Sequence, residues 1–169
     1  MKCRISRDLL DRFAAEAEAA APREVCGLLL GNRGMISASV ALPNSADDPF
    51  RGFAIAPADQ FAAARAARAA GLRILGCYHS HPSGVTTPSL ADAAQAGEAG
   101  FYWMIVHGAR RRLWISRTQG KVAGRFDPVE LEIVETPAFQ ETTALQPAGA
   151  GANRRRGTSL APRQGPSPQ

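Results

Sequence analysis

The chain has 169 residues, 45% of them hydrophobic and 21% charged, the balance of one soluble domain with a core of its own. No apolar run approaches the ~20 residues that cross a bilayer, which argues against a membrane protein. The net charge of +5 is concentrated: residues 148–169 carry Arg154, Arg155, Arg156 and Arg163 and no acid, leaving 16 basic and 15 acidic side chains before them, so no nucleic acid is expected on the folded part.

The start, Met1 to Arg7, leads into a charged amphipathic stretch rather than an apolar leader, and the expected address is cytoplasmic. Residues 6–20 read as a helix with Ser6 as N-cap, Asp8 in the first turn and Leu9, Leu10, Phe13 and Ala17 as its apolar stripe. Val25 to Leu30 is an apolar run closed by Gly31-Asn32-Arg33-Gly34, and Met35 to Leu42 reads as the partner strand of a hairpin. Pro43 to Pro49 is a polar loop, Gly52 to Ala56 a short strand, and Pro57 opens an Ala/Arg-rich helix that Gly71 closes. Leu72 to His79 reads as a buried strand, followed by a loop to Pro88 and a small-residue helix from Leu90 to about Ala99. Phe101–Val106, Leu113–Thr118, Val122–Phe126 and Val129–Val134 read as further strands, with Arg110 to Arg112 as a solvated turn. This order predicts an α/β fold, a mixed sheet flanked by helices. The domain is placed over residues 1–140, and the Pro/Gly-rich, Arg-bearing stretch 141–169 is expected to be disordered.

The chemistry sits in Tyr78-His79-Ser80-His81-Pro82-Ser83-Gly84-Val85-Thr86-Thr87-Pro88-Ser89-Leu90-Ala91-Asp92. Two histidines one residue apart at a strand end can turn both imidazoles to one point, and Asp92, one turn into the next helix, can fold back on them. Two imidazoles and a carboxylate are the ligand set of a catalytic zinc, with a fourth position for water. Each half alone has a plainer reading: His-x-His as a loop or core pair, Ser89-x-x-Asp92 as a capping box. A carboxylate on zinc is expected not to serve the cap as well. Together the halves favour a metal.

The sequence here resembles the JAMM (MPN-type) metallopeptidases, most closely their short bacterial branch. Their signature is a glutamate followed later by His-x-His, seven residues, Ser, two residues and Asp; His79, His81, Ser89 and Asp92 match it in type and spacing. Glu24, in Arg23-Glu24-Val25-Cys26-Gly27-Leu28-Leu29-Leu30-Gly31, matches the upstream glutamate, and Pro43-Asn44, Phe53-Ala54-Ile55 and Gly76-Cys77-Tyr78 extend the likeness to residues 5–135. The resemblance implies a cytidine-deaminase-like sandwich with one zinc per chain on His79, His81 and Asp92. It makes Glu24 the general base and Ser89 a stabiliser of the oxyanion. The implied activity is hydrolysis of a peptide or isopeptide bond after the C-terminal Gly-Gly of a small ubiquitin-like sulfur-carrier protein. Such a tail is expected to lie along a sheet edge, in a groove walled by the loops Pro43–Arg51 and His79–Pro88.

Rival readings are weaker. A zinc nucleoside deaminase needs His-x-Glu and Pro-Cys-x-x-Cys, which the chain lacks. A RadC-like domain usually has Asn between the histidines, where Ser80 stands here. A non-catalytic MPN scaffold generally lacks some ligands, and this chain retains all five key residues. Three cysteines without a Cys-x-x-Cys suggest reduced thiols. Cys26 and Cys77 read as buried filler although they lie two residues from Glu24 and His79, and His107 as structural or exposed. The oligomeric state is not legible.

Overall fold

The computed structural model describes residues 1–32 and 34–135; the expected disordered tail and the last five residues of the expected domain lie outside them. Strand β1 (Lys2–Ser6) feeds directly into helix α1 (Arg7–Ala20), whose N-cap Ser6 accepts from the Leu9 N–H as its sequence predicts. The hairpin follows as β2 (Cys26–Asn32) and β3 (Met35–Leu42). Helix α2 (Pro57–Ala69) ends at Gly71, whose φ of +71° needs a residue without Cβ. Then come β4 (Arg73–Ser80), a short α3 (Leu90–Gln95), β5 (Tyr102–His107), β6 (Arg110–Ser116) and β7 (Phe126–Val134).

The strands run β1-β3-β2-β4-β5-β6-β7, and β7 returns to pair in parallel with β1. The mixed sheet is as expected: β4–β5 and β1–β3 are parallel, β2–β4 and β5–β6 antiparallel. Its closure was not expected. The ring closes between β1 and β3 through two pairs, Arg4–Met35 and Ile5–Ile36, so β3 beyond Ile36 pairs with β2 alone.

Side chains alternate between two cores, as the two-residue period of strands demands. Cys26, Leu28, Cys77, Trp103 and Ile105 face α2 and α3 with Phe53, Ala63, Ala67 and Ala96, while Leu29, Tyr78, Met104 and Val106 face α1 with Leu9, Leu10 and Phe13. One helix layer lies on each side. No helix among the described residues is long and apolar enough to cross a membrane.

Several local expectations need correction. Gly52–Ala56 forms no strand; its polar backbone is held by side chains instead, Asn44 accepting from the Ala54 N–H and donating to the Gly52 carbonyl. Helix α3 stops at Gln95, not Ala99, and Arg125 donates to the carbonyls of Ala96 and Gly97 beyond it. Arg110 to Arg112 belong to β6, the turn being Gly108-Ala109; the Arg112 guanidinium lies over Trp114, 5.3 Å from its centroid. Val122 makes only an isolated bridge to Phe126, at the start of one continuous β7. The strand β1 carries too little pattern to be read in the sequence.

Candidate metal centre

The site forms where β4 ends against β2. Register pairs Cys26 with His79 across the two strands, which brings the segment before β2, with Glu24, beside the two histidines. Ser80 fastens the junction: its N–H donates to the Val25 carbonyl at 3.0 Å and its Oγ accepts from the Val25 N–H at 2.9 Å. His79 shares the face of Cys77, so its ring enters the α2/α3 side. There it stacks on Phe53 at 4.3 Å and 21° and meets the edge of Trp103 at 5.9 Å.

His79 Nε2 and His81 Nε2 lie 2.9 Å apart. Asp92 spans both, Oδ1 at 3.2 Å from His79 Nε2 and Oδ2 at 3.4 Å from His81 Nε2. A tetrahedral zinc with bonds of ~2.0–2.1 Å needs donors about 3.3 Å apart, so this set fits the ion. His81 Nδ1–H donates to the Val85 carbonyl at 2.7 Å, which leaves the Nε2 lone pair facing the centre. His79 Nδ1 is buried without a hydrogen-bond partner among the described residues; ring packing on Phe53 orients this imidazole instead. Glu24 joins the cluster: one carboxylate oxygen and one nitrogen from each histidine lie within 4.8 Å of one another.

Asp92 closes a capping box with Ser89 and also faces the two histidines. Asp92 Oδ2 accepts from the Ser89 N–H at 2.6 Å and the Ser89 hydroxyl at 2.7 Å, while the Asp92 N–H donates back to Ser89 Oγ. A carboxylate has two oxygens, and Oδ1 remains turned to His79. The Ser89 hydroxyl proton is thereby engaged with Asp92.

Electrostatics separate the two acids. Burial pushes the Glu24 carboxyl up to about 7, with His81 opposing and the charge of Asp92 adding to the rise. Burial acts upward on Asp92 too, but hydrogen bonding to His79 and His81 outweighs it and holds this carboxyl well below the usual range. Burial lowers His79, keeping it in the neutral form a metal binds. Cys26, its thiol pushed up to about 12 by burial, and Cys77, raised well above the ordinary value by the same cause, are buried free thiols; both stay protonated near neutrality.

A groove of about 460 Å³ runs over the centre, lined by Glu24, Phe50, Arg51, His81, Val85 and Ser89. Its walls come from the two loops the sequence indicates. Phe50 and Val85 are 55% and 56% exposed, large apolar surfaces at the groove mouth. His107 was read as structural or exposed, and its Nδ1–H donates to the His81 carbonyl at 3.0 Å.

The family described as prokaryotic homologs of the JAB domain matches residues 6–117. A probable TtuB-protein conjugate cleaving protease of Thermus thermophilus is 34% identical over 92 residues, 54% of this chain and 62% of that protein, so the chain spans less than two thirds of that relative. The solution structure of a Desulfitobacterium hafniense protein superposes with a TM-score of 0.69 at 25% identity, covering 80% of this chain and 94% of the other. The crystal structure of a JAB1/MPN domain protein from Archaeoglobus fulgidus superposes with a TM-score of 0.52 at 25% identity, covering 79% and 98%.

Proposed function

This chain belongs to the prokaryotic JAB family, and from that premise we propose that it is a zinc-dependent hydrolase of peptide or isopeptide bonds. The observation that carries this reading is the convergence of His79 Nε2, His81 Nε2 and Asp92 within 2.9–3.4 Å, with the Glu24 carboxylate at the same centre. His79, His81 and Asp92 would hold the zinc, which would supply Lewis acidity toward a carbonyl and a water. Glu24 would take a proton from the attacking water and hand it to the leaving amine, from its place beside the two histidines. Ser89, on the groove wall, turns its hydroxyl from Asp92 to the developing oxyanion.

The substrate in this reading is an extended tail ending in Gly-Gly on a ubiquitin-like sulfur carrier, joined to an amino acid, peptide or protein. The open groove supports it, because residues without side chains let a backbone approach the centre closely. A Thermus thermophilus relative described as cleaving TtuB–protein conjugates supports a conjugate as the substrate class. The tail lies in the groove between the loops carrying Phe50 and Val85.

Metal analysis tests the ligand set: His79→Ala is expected to lose tight zinc binding, since two ligands remain, and full occupancy would refute it. Glu24→Gln is expected to keep zinc and lose at least ~10²-fold in turnover. Loss of zinc from Glu24→Gln would make Glu24 a ligand instead. Mass spectrometry of a sulfur carrier bearing a C-terminal extension, incubated with zinc-loaded protein, tests the bond. Equal cleavage of unfolded peptides would mean a general peptidase, and zinc binding without cleavage would favour a non-catalytic scaffold.

A further inference from the structure

Resting on the reading of Glu24 as the general base, we propose that Asn44 is its positioning residue, locking the Glu24 backbone to the groove wall and so setting where the carboxylate stands. Glu24 precedes β2, so no strand ladder holds it. Its two backbone polar groups go instead into the segment 43–54: its N–H donates to the Pro49 carbonyl at 2.7 Å, and its carbonyl accepts from Asn44 Nδ2 at 3.0 Å. Asn44 Nδ2 also donates to the Gly52 carbonyl at 3.0 Å, while Oδ1 accepts from the N–H groups of Ala46 and Ala54 at 3.0 and 3.1 Å.

Two neighbours are pure acceptors and two are pure donors, so the amide has one allowed orientation and all its hydrogen-bonding roles are used. No other side chain of this size offers two donors and a two-fold acceptor. The segment that Asn44 staples carries Phe50 and Arg51, which line the groove beside Glu24. Base and wall are therefore built as one piece, while the three proposed zinc ligands stand on β4, the loop after it and α3. Loosening Asn44 should displace the base without touching the metal. A general base works only within hydrogen-bond reach of its proton, and a misplacement of about 1 Å costs on the order of 10²-fold.

Asn44→Asp tests this, because aspartate keeps the acceptor half that holds Ala46 and Ala54 and loses the donor half that grips Glu24. Ser45→Ala is the control; it removes the hydroxyl that donates to the Ala54 carbonyl in the same segment, 3.0 Å away, without touching Glu24. Zinc-loaded proteins are compared by zinc content, amide hydrogen exchange and kinetics on the conjugate. In Asn44→Asp the Glu24 amide is expected to exchange at least ~10-fold faster while Ala46 and Ala54 stay protected. Zinc content and KM should hold, and kcat should fall roughly 10- to 100-fold. Ser45→Ala should match wild type in Glu24 exchange and in kcat. Unchanged Glu24 exchange in Asn44→Asp, or an equal loss in Ser45→Ala, overturns the assignment. If wild type cleaves neither conjugate nor unfolded peptide, the hydrolase reading fails, and the exchange data still decide whether Asn44 holds Glu24. Asn44→Ser, with one donor left, gives the same comparison if Asn44→Asp does not fold.

Discussion

Phe53→Ala probes how the core holds the candidate metal site, because Phe53 is 5% exposed and its ring lies against His79 at 4.3 Å and Trp103 at 5.9 Å. Removing a buried phenylalanine side chain loses its transfer energy and leaves a cavity, together ~3–5 kcal/mol. For a domain of this size each kcal/mol moves Tm by roughly 2–4 °C, so metal-free Phe53→Ala should melt roughly 6–20 °C below wild type. A second effect follows from His79 Nδ1, which has no hydrogen-bond partner among the described residues. With the stacking face gone, that imidazole loses its main restraint, and zinc affinity should fall roughly 10-fold or more, as for a lost outer partner. Phe53→Leu keeps most of the apolar volume but no aromatic face, and should restore most of the Tm and little of the affinity. Thermal melts and competitive zinc titration measure the two quantities. A Tm within 2 °C of wild type would remove Phe53 from the core argument. Unchanged zinc affinity in both variants would show that stacking does not orient His79.

Gly27→Ala should destabilise by ~1–3 kcal/mol or more, since its Cβ would sit 2.2 Å from the Val40 carbonyl oxygen and 2.4 Å from Tyr78 Cε1; Gly52→Ala, with nothing within 4 Å, should melt like wild type. Tyr78→Phe removes the hydroxyl that donates to Glu16 Oε2 at 2.6 Å and should cost ~1.5–3 kcal/mol in a denaturant titration, the range for a bond to a charged partner. For metal-free protein, burial raises Glu24 from 4.5 to about 7, so its contribution to stability is full below pH 4.5 and lost as pH rises through 7. The Tm of wild type should therefore fall relative to Glu24→Gln between pH 5 and pH 8, and parallel profiles would refute the raised pKa. Truncation after Glu141 should leave Tm within a few degrees and activity intact; a large fall in either would mean that residues 142–169 dock on the domain.

Legibility in the sequence followed the range of the interaction. Helix α1 was readable because Ser6, Asp8 and the Leu9-Leu10-Phe13-Ala17 stripe are local signals with local consequences. The pairing of His79, His81 and Asp92 was readable because spacing alone restricts where a strand end and a helix start can meet. Glu24 was different. Nothing around Arg23-Glu24-Val25 distinguishes it from a solvated acid, and only the resemblance picked it out; in space it arrives through register between β2 and β4 and through Ser80. That Asp92 meets Ser89 and His79 at once is not legible in the spacing, because its two oxygens act separately.

Closure of the sheet was the least legible feature of the fold. It depends on β1 and β7 pairing in parallel from opposite ends of the described chain, Lys2 with Glu130 through Ser6 with Val134, a contact no local pattern encodes. An open mixed sheet would offer a tail a continuous row of N–H and C=O groups, with affinity spread along the backbone. The ring withdraws that row where strands pair on both sides and leaves it along β3 beyond Ile36, while the groove is walled by Phe50 and Arg51 on one side and by Val85 and Ser89 on the other. One of these walls is the segment that Asn44 fastens to Glu24. On the proposed function, the loop that lines the groove also sets the base, so substitutions that remodel this loop should move kcat as well as KM.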